Sequence, residues 1–153
     1  MNKRVVFLLL LSVLLVSACT TSNTASGSEE LWGQIFNIAY PPVIQGDADS
    51  PNKYHSIMKV EFSDGNAATS AINDGEGTYE FNDKALVIKF ENENEHLEIE
   101  FTDFEESDKD FIEYSAQISS LDFNMADSDK ISHLGNLYNN LTKNMSVEFL
   151  KKQ

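Results

Sequence analysis

Apolar side chains recur at every second position through most of this chain. Met58, Val60 and Phe62 alternate with Lys59 and Glu61; Tyr79 and Phe81 share a face; Leu86, Ile88 and Phe90 follow, with Ala85 and Val87 opposite. Leu97, Ile99 and Phe101, separated by Glu98 and Glu100, alternate most cleanly. A period of two marks strands with one buried face, and glutamates between apolar residues leave the other face wet. Ile112, Tyr114, Ala116 and Ile118 continue the pattern, and Met145, Val147 and Phe149 end it before Lys151-Lys152. Leu31 to Ala39 is a first apolar run, closed by Tyr40-Pro41-Pro42, and Asn66 to Ile72 is a weaker strand of small residues. Turn signals fall between these runs: Asp64-Gly65, the strongest hairpin signal, then Asn73-Asp74-Gly75, Asn82-Asp83 and Asn92 to Glu95. Val43 to Lys53 reads as a long loop, and Glu105 to Asp110 as an acidic one. The pattern predicts a mainly-β fold, an antiparallel meander of about seven or eight strands that closes on itself to remove its edges.

One segment breaks the period. Ile131, Leu134, Leu137, Tyr138 and Leu141 fall at helical spacing behind Asp127-Ser128, a candidate N-cap. This predicts one short amphipathic helix that packs its apolar stripe on the sheet or across one end of it. Gly135 inside it weakens the helix by about 1 kcal/mol against Ala.

The first residues follow another logic. Lys3 and Arg4 precede an apolar run from Val5 to Val16, and Val16-Ser17-Ala18-Cys19 follows it. A basic end, a short hydrophobic stretch and a small-residue site describe an export signal. The run is shorter than the roughly 20 residues a membrane-spanning helix needs. Val16 to Cys19 resembles the lipobox of bacterial lipoproteins. That resemblance implies a diacylglyceryl group on the Cys19 thiol, cleavage after Ala18 and Cys19 as the new N-terminus. Residues 1–18 are then the signal peptide, 19–29 the lipidated cysteine and a small, polar tether, and 30–153 the β domain. Ten such tether residues span roughly 17 Å.

Composition sharpens this picture. Cys19 is the only cysteine; once acylated it leaves no thiol for a disulfide, a thiolate metal site or a nucleophile. The net charge is −14, and without Lys3 and Arg4 the basic residues fall from 11 to 9 against 25 acids. That sign excludes nucleic acid, which needs clustered Lys and Arg, and disfavours a domain lying flat on anionic lipid.

The order of the elements resembles the lipocalin-like (calycin) small barrels. Leu31-Trp32-Gly33 meets their opening motif, with Ile35 where a tryptophan is expected; Gly77-Thr78-Tyr79 followed by Leu86-Val87-Ile88 meets the middle; Met145 to Lys151 meets the close. The candidate helix precedes the last strand here, whereas lipocalins place theirs after it. The resemblance implies a small apolar or amphipathic ligand in the barrel mouth, with Trp32, Phe62, Tyr79, Phe90 and Phe101 as candidate lining. The residues themselves read both ways. Nine phenylalanines after the signal, Phe36 to Phe149, fill a small barrel; Ala67, Ala68, Ser70 and Ala71 mark the wall where space would remain.

Other chemistry has less support. Asp47-Ala48-Asp49 and Asp127-Ser128-Asp129 lack the glycine and distal glutamate of a calcium loop, and His55, His96 and His133 lack zinc spacing. No G-x-S-x-G elbow or glycine-rich phosphate loop occurs. No metal or cofactor is expected. The expected protein is a non-enzymatic binding module, lipid-anchored on the extracytoplasmic face of a cell membrane, with composition suiting a Gram-positive source. The alternative is an envelope interaction or inhibitor protein with a packed core, acting through its acidic surface.

Overall fold

The computed structural model describes residues 31–44, 48–70, 75–82 and 84–152; the expected signal, Cys19 and the expected tether lie outside them. Eight strands follow in order: β1 (Ile35–Tyr40), β2 (His55–Ser63), β3 (Asn66–Thr69), β4 (Glu76–Asn82), β5 (Ala85–Glu91), β6 (Glu95–Glu106), β7 (Ile112–Met125) and β8 (Ser146–Lys151). A single turn of 3-10 helix (Pro51–Lys53) precedes β2, and α1 (Leu134–Tyr138) precedes β8. Each strand pairs antiparallel with its chain neighbours, and β1 pairs with β8 to close the barrel. This up-and-down order is the closed antiparallel meander that the alternation predicts, in the lipocalin-like topology that the motif resemblance implies. Gly65 turns the β2–β3 hairpin at φ +69°, where a side chain would be strained.

Two strands run further than the alternation suggests, because bulges reset which positions point inward. Along β7, Tyr114, Ala116 and Ile118 are core residues, but Leu121 and Phe123 pack against the same core. Glu100 pairs with Ser120 and Phe101 with Ile118, so Ser119 is an extra residue and the parity switches there. On β6 a second irregularity lies between Thr102 and Glu105, where Asp103 takes φ 57°. It brings Phe104 into the core after Phe101. Glu105 and Glu106 are therefore the end of β6 rather than part of an acidic loop.

The helix is shorter than its spacing predicts. Ile131 is 82% exposed, whereas Leu134, Leu137 and Leu141 are buried in the barrel core. α1 sits against β6 and β7, with Tyr138 stacked on Phe123 at 5.1 Å between ring centres. Asp127 is not its cap: its carboxylate accepts the Asp129 N–H in a local turn. His133 occupies the N-cap position without a capping side-chain bond of its own.

Candidate functional site

The barrel interior is the first place to look for a ligand, and it is occupied by aromatic rings. Phe36, Phe62, Phe90, Phe101 and Phe149 are among the largest fully buried side chains. Phe36 meets Phe62, Tyr114 and Phe149 at 5.7–6.2 Å between ring centres. Phe62 meets Tyr79 edge-on at 4.7 Å. Phe149 continues to Phe101 and Phe104 at 5.6 and 5.1 Å, and Phe104 to Phe81 at 5.2 Å. Tilted and edge-on contacts at these separations are the favourable arrangement of packed rings. Burial, with the Asp64 carboxylate adding to it, pushes the Tyr79 hydroxyl above its ordinary value.

Of the five candidate lining residues, Phe62, Tyr79, Phe90 and Phe101 are thus brought together inside the barrel. Trp32 is not with them: it is 62% exposed beside Gly33, whose N–H donates to the Phe62 carbonyl at the entrance to β1. The small residues divide similarly. Ala67 faces the core, while Ala68 and Ser70 border a groove of about 430 Å³ on the outside of β2–β4, with Lys59, Glu61 and Glu76.

Two charged side chains tie loops to the barrel. Glu95, at the first position of β6, is 3% exposed. Its carboxylate accepts the His133 N–H on both oxygens (3.0 and 2.9 Å) and the Leu134 N–H at 3.0 Å. Burial raises its pKa, but hydrogen bonds from the Ser132 hydroxyl, the Leu134 and His133 N–H groups and the Asn92 side chain more than offset this. The carboxyl is therefore held below its ordinary range. A residue on a strand thereby satisfies the free N–H groups at the start of α1.

Lys109, between β6 and β7, does the converse. Its ammonium donates to the Ala48 carbonyl at 3.0 Å and to the Tyr54 oxygen at 3.1 Å. The Tyr54 hydroxyl itself donates to the same carbonyl at 3.2 Å. The Tyr54 hydrogen bond, opposed by burial and helped by Tyr54, Glu148 and Asp49 charge, raises the Lys109 pKa. Beneath this clasp lies a small second core, Ala39, Tyr54, Ile112 and Leu150, with Ala48 and Phe111 against it. Leu150 follows the inward Phe149, so this cluster covers the outer side of β8.

Among the described residues no group of three or more His, Cys, Asp or Glu is placed to hold a metal ion. His55 stacks on Tyr40 at 4.8 Å, His96 pairs across from Glu91 on the β5–β6 ladder, and His133 begins α1. Asn92, Glu93, Asn94, Asp122 and Asn124 border a cleft of about 260 Å³ beside the β5–β6 turn.

A third groove, of about 410 Å³, lies between Pro51–Asn52 and the outer faces of β1, β2 and β8. Ile35, Leu150 and Pro51 supply apolar wall, and Lys59, Lys151 and Lys152 stand along it. The alternation gives no hint of this grouping. It requires the register in which Asn37 lies between Lys59 of β2 and Leu150 of β8. Glu95 and Lys109 were equally hidden, since their partners are dozens of residues away in sequence. No protein-family model, curated protein or solved structure matches this chain.

Proposed function

We propose that this protein is a non-enzymatic binding module, held by a lipid on Cys19 at the outer face of a Gram-positive cell membrane. Its filled barrel is a rigid scaffold, and its outer wall is the working surface. The observation that carries the second point is the chain of buried rings from Tyr79 through Phe62, Phe36 and Phe149 to Phe101 and Phe104. Protein interiors packed this closely leave few voids larger than a water molecule. A ligand in the lumen would have to displace rings whose contacts hold the walls together. This favours the packed-core form of the module over cargo in the barrel mouth.

The neutral apolar dye N-phenyl-1-naphthylamine tests it. No saturable fluorescence rise is expected on titration into the folded protein. A saturable rise abolished by Phe62→Trp or Phe90→Trp would return the ligand to the lumen.

The anchor rests on Val16-Ser17-Ala18-Cys19. Among the described residues no helix is long and apolar enough to cross a membrane. An alkyne fatty-acid probe fed to the producing cell should label the wild-type chain and leave Cys19→Ser unlabelled. Absence of label on the wild type would remove the anchor and leave the barrel argument standing.

A further inference from the structure

We propose that the groove between Pro51–Asn52 and the outer faces of β1, β2 and β8 binds a small organophosphate, its phosphate facing the lysines and its apolar part on Ile35, Pro51 and Leu150. The inference deepens the outer-wall reading and rests on it.

Charge distribution is the first argument. Beyond Arg4 the chain has no arginine, and its nine lysines after the signal stand against 25 acids. Three of those nine line this one groove, and no carboxylate lines it. The neighbouring groove beside β3 differs: there Lys59 is accompanied by Glu61 and Glu76, which would repel an anion. Lys151 is held by the Glu113 carboxylate at 2.8 Å. Among the described residues no acid pairs with Lys59 or Lys152, so these two supply the unspent charge.

Hydrogen-bond direction is the second. Ser56 Oγ donates to Asn37 Oδ1 at 2.6 Å. That contact engages the amide oxygen of Asn37 and leaves its Nδ2 group as a donor. The lining side chains then offer ammonium and amide donors together, which suits an acceptor-only anion.

Geometry supplies the third. Lys59, Asn37 and Leu150 form one row across three adjacent strands, and Lys151 is paired with Phe36 one step along. Adjacent strands lie about 4.8 Å apart, so Lys59 on β2 and Lys152 just beyond β8 border the same groove from its two sides. Lysine binds phosphate as a compact point charge and does not need the planar fork that arginine offers to carboxylate and phosphate alike. The apolar wall beside the lysines adds affinity for a non-polar group attached to the phosphate.

The test is calorimetric titration of the full chain with phenyl phosphate and with inorganic phosphate at neutral pH and low salt. NMR shifts at the Asn37 side-chain amide and the Leu150 methyls locate the site. Phenyl phosphate should bind about fivefold more tightly than inorganic phosphate through its apolar contact. Lys59→Ala with Lys152→Ala should weaken it by about tenfold or more. Lys89→Ala, which removes a lysine paired with Glu98 on another wall, should leave affinity unchanged. All three altered side chains are on the surface, and near-UV circular dichroism confirms that the barrel is intact. Equal affinity for the two phosphates, an unaffected double variant, an equal loss in Lys89→Ala or no saturable binding would each overturn the proposal. Dye entry into the lumen would sink the filled-barrel reading instead and leave these titrations as they are.

Discussion

Glu95 and Lys109 perform the same task at two places and by opposite means. Each is a charged side chain that fastens a long connection to the barrel through backbone groups. Glu95 receives N–H groups of the segment leading into α1, and Lys109 gives its protons to a carbonyl and a phenol of the β1–β2 connection. The difference is in what surrounds them. Glu95 is nearly inaccessible, and the donors it satisfies have no substitute partner if it is removed. Lys109 stays half-buried, and Tyr54 keeps its own bond to Ala48 without it. What an electrostatic tie is worth depends less on its charge than on whether water can replace it.

Removing Glu95 should therefore have the largest effect. Glu95→Ala leaves the His133 and Leu134 N–H groups without acceptors beside a buried core. We expect a loss of about 2–4 kcal/mol, from the cost of charge-assisted bonds and of stranded donors. Urea unfolding measures it, and a loss no larger than that for Lys109 would break the comparison.

Acid sharpens the same point. The folded carboxyl titrates below its ordinary range, so below about pH 5 the unfolded chain takes up protons that the folded chain resists. The stability Glu95 contributes is full above the unfolded value and is lost as pH falls through the folded one. The gap in unfolding midpoint between wild type and Glu95→Gln should be constant near neutrality and narrow only in acid. For Lys109 the sign reverses: its pKa is raised, so its contribution is full below the unfolded value, about 10.4, and fades in alkali.

The two ties also mark where the sequence was legible. Alternation identifies strands wherever the inward parity is constant, as from Leu86 to Phe90 and from Leu97 to Phe101. It falters at Ser119 and Asp103, because a bulge moves the apolar set to the other parity and the period appears to end. Helical spacing found the stripe of α1 but overran its start at Ile131. The residue that decides that start is Glu95, on a strand that the local pattern cannot connect to it. Lys59, Lys151 and Lys152 look like ordinary surface lysines until closure of the barrel places β2, β1 and β8 side by side. The interior was readable as phenylalanine content; Trp32 was grouped with it on the strength of an opening motif, and lies outside.

Gly135→Ala probes the Glu95 side from another direction. In an isolated helix the change gains about 1 kcal/mol. Here the added Cβ would collide with Ser132 Oγ and come within 3.4 Å of Phe123 Cζ. That same hydroxyl accepts the Gly135 N–H at 2.8 Å and hydrogen-bonds to Glu95, so rotating it away breaks both. The expected result is a net loss of about 1–3 kcal/mol, the usual range for overpacking. Stabilisation would mean that Ser132 is dispensable to the clasp.

The smallest effect should come from Lys109→Met, and it is the most informative about the other connection. Methionine keeps most of the apolar stem and removes the ammonium, whose Nζ lies 5.8 Å from the Tyr54 ring centre, with its charge and donors. Ala48 O retains the Tyr54 hydroxyl as a partner, and Tyr54 remains packed against Phe111 at 5.8 Å. The global loss should be about 0.5–1.5 kcal/mol, one ordinary hydrogen bond's net worth. The local loss should be plainer: amide exchange should accelerate at Tyr54, whose N–H bonds the Pro51 carbonyl at 3.2 Å. Exchange at Leu134, under the Glu95 clasp, should not change. If both amides quickened together, the two connections would open as one cooperative unit, and their different solvent access would no longer explain their different worth.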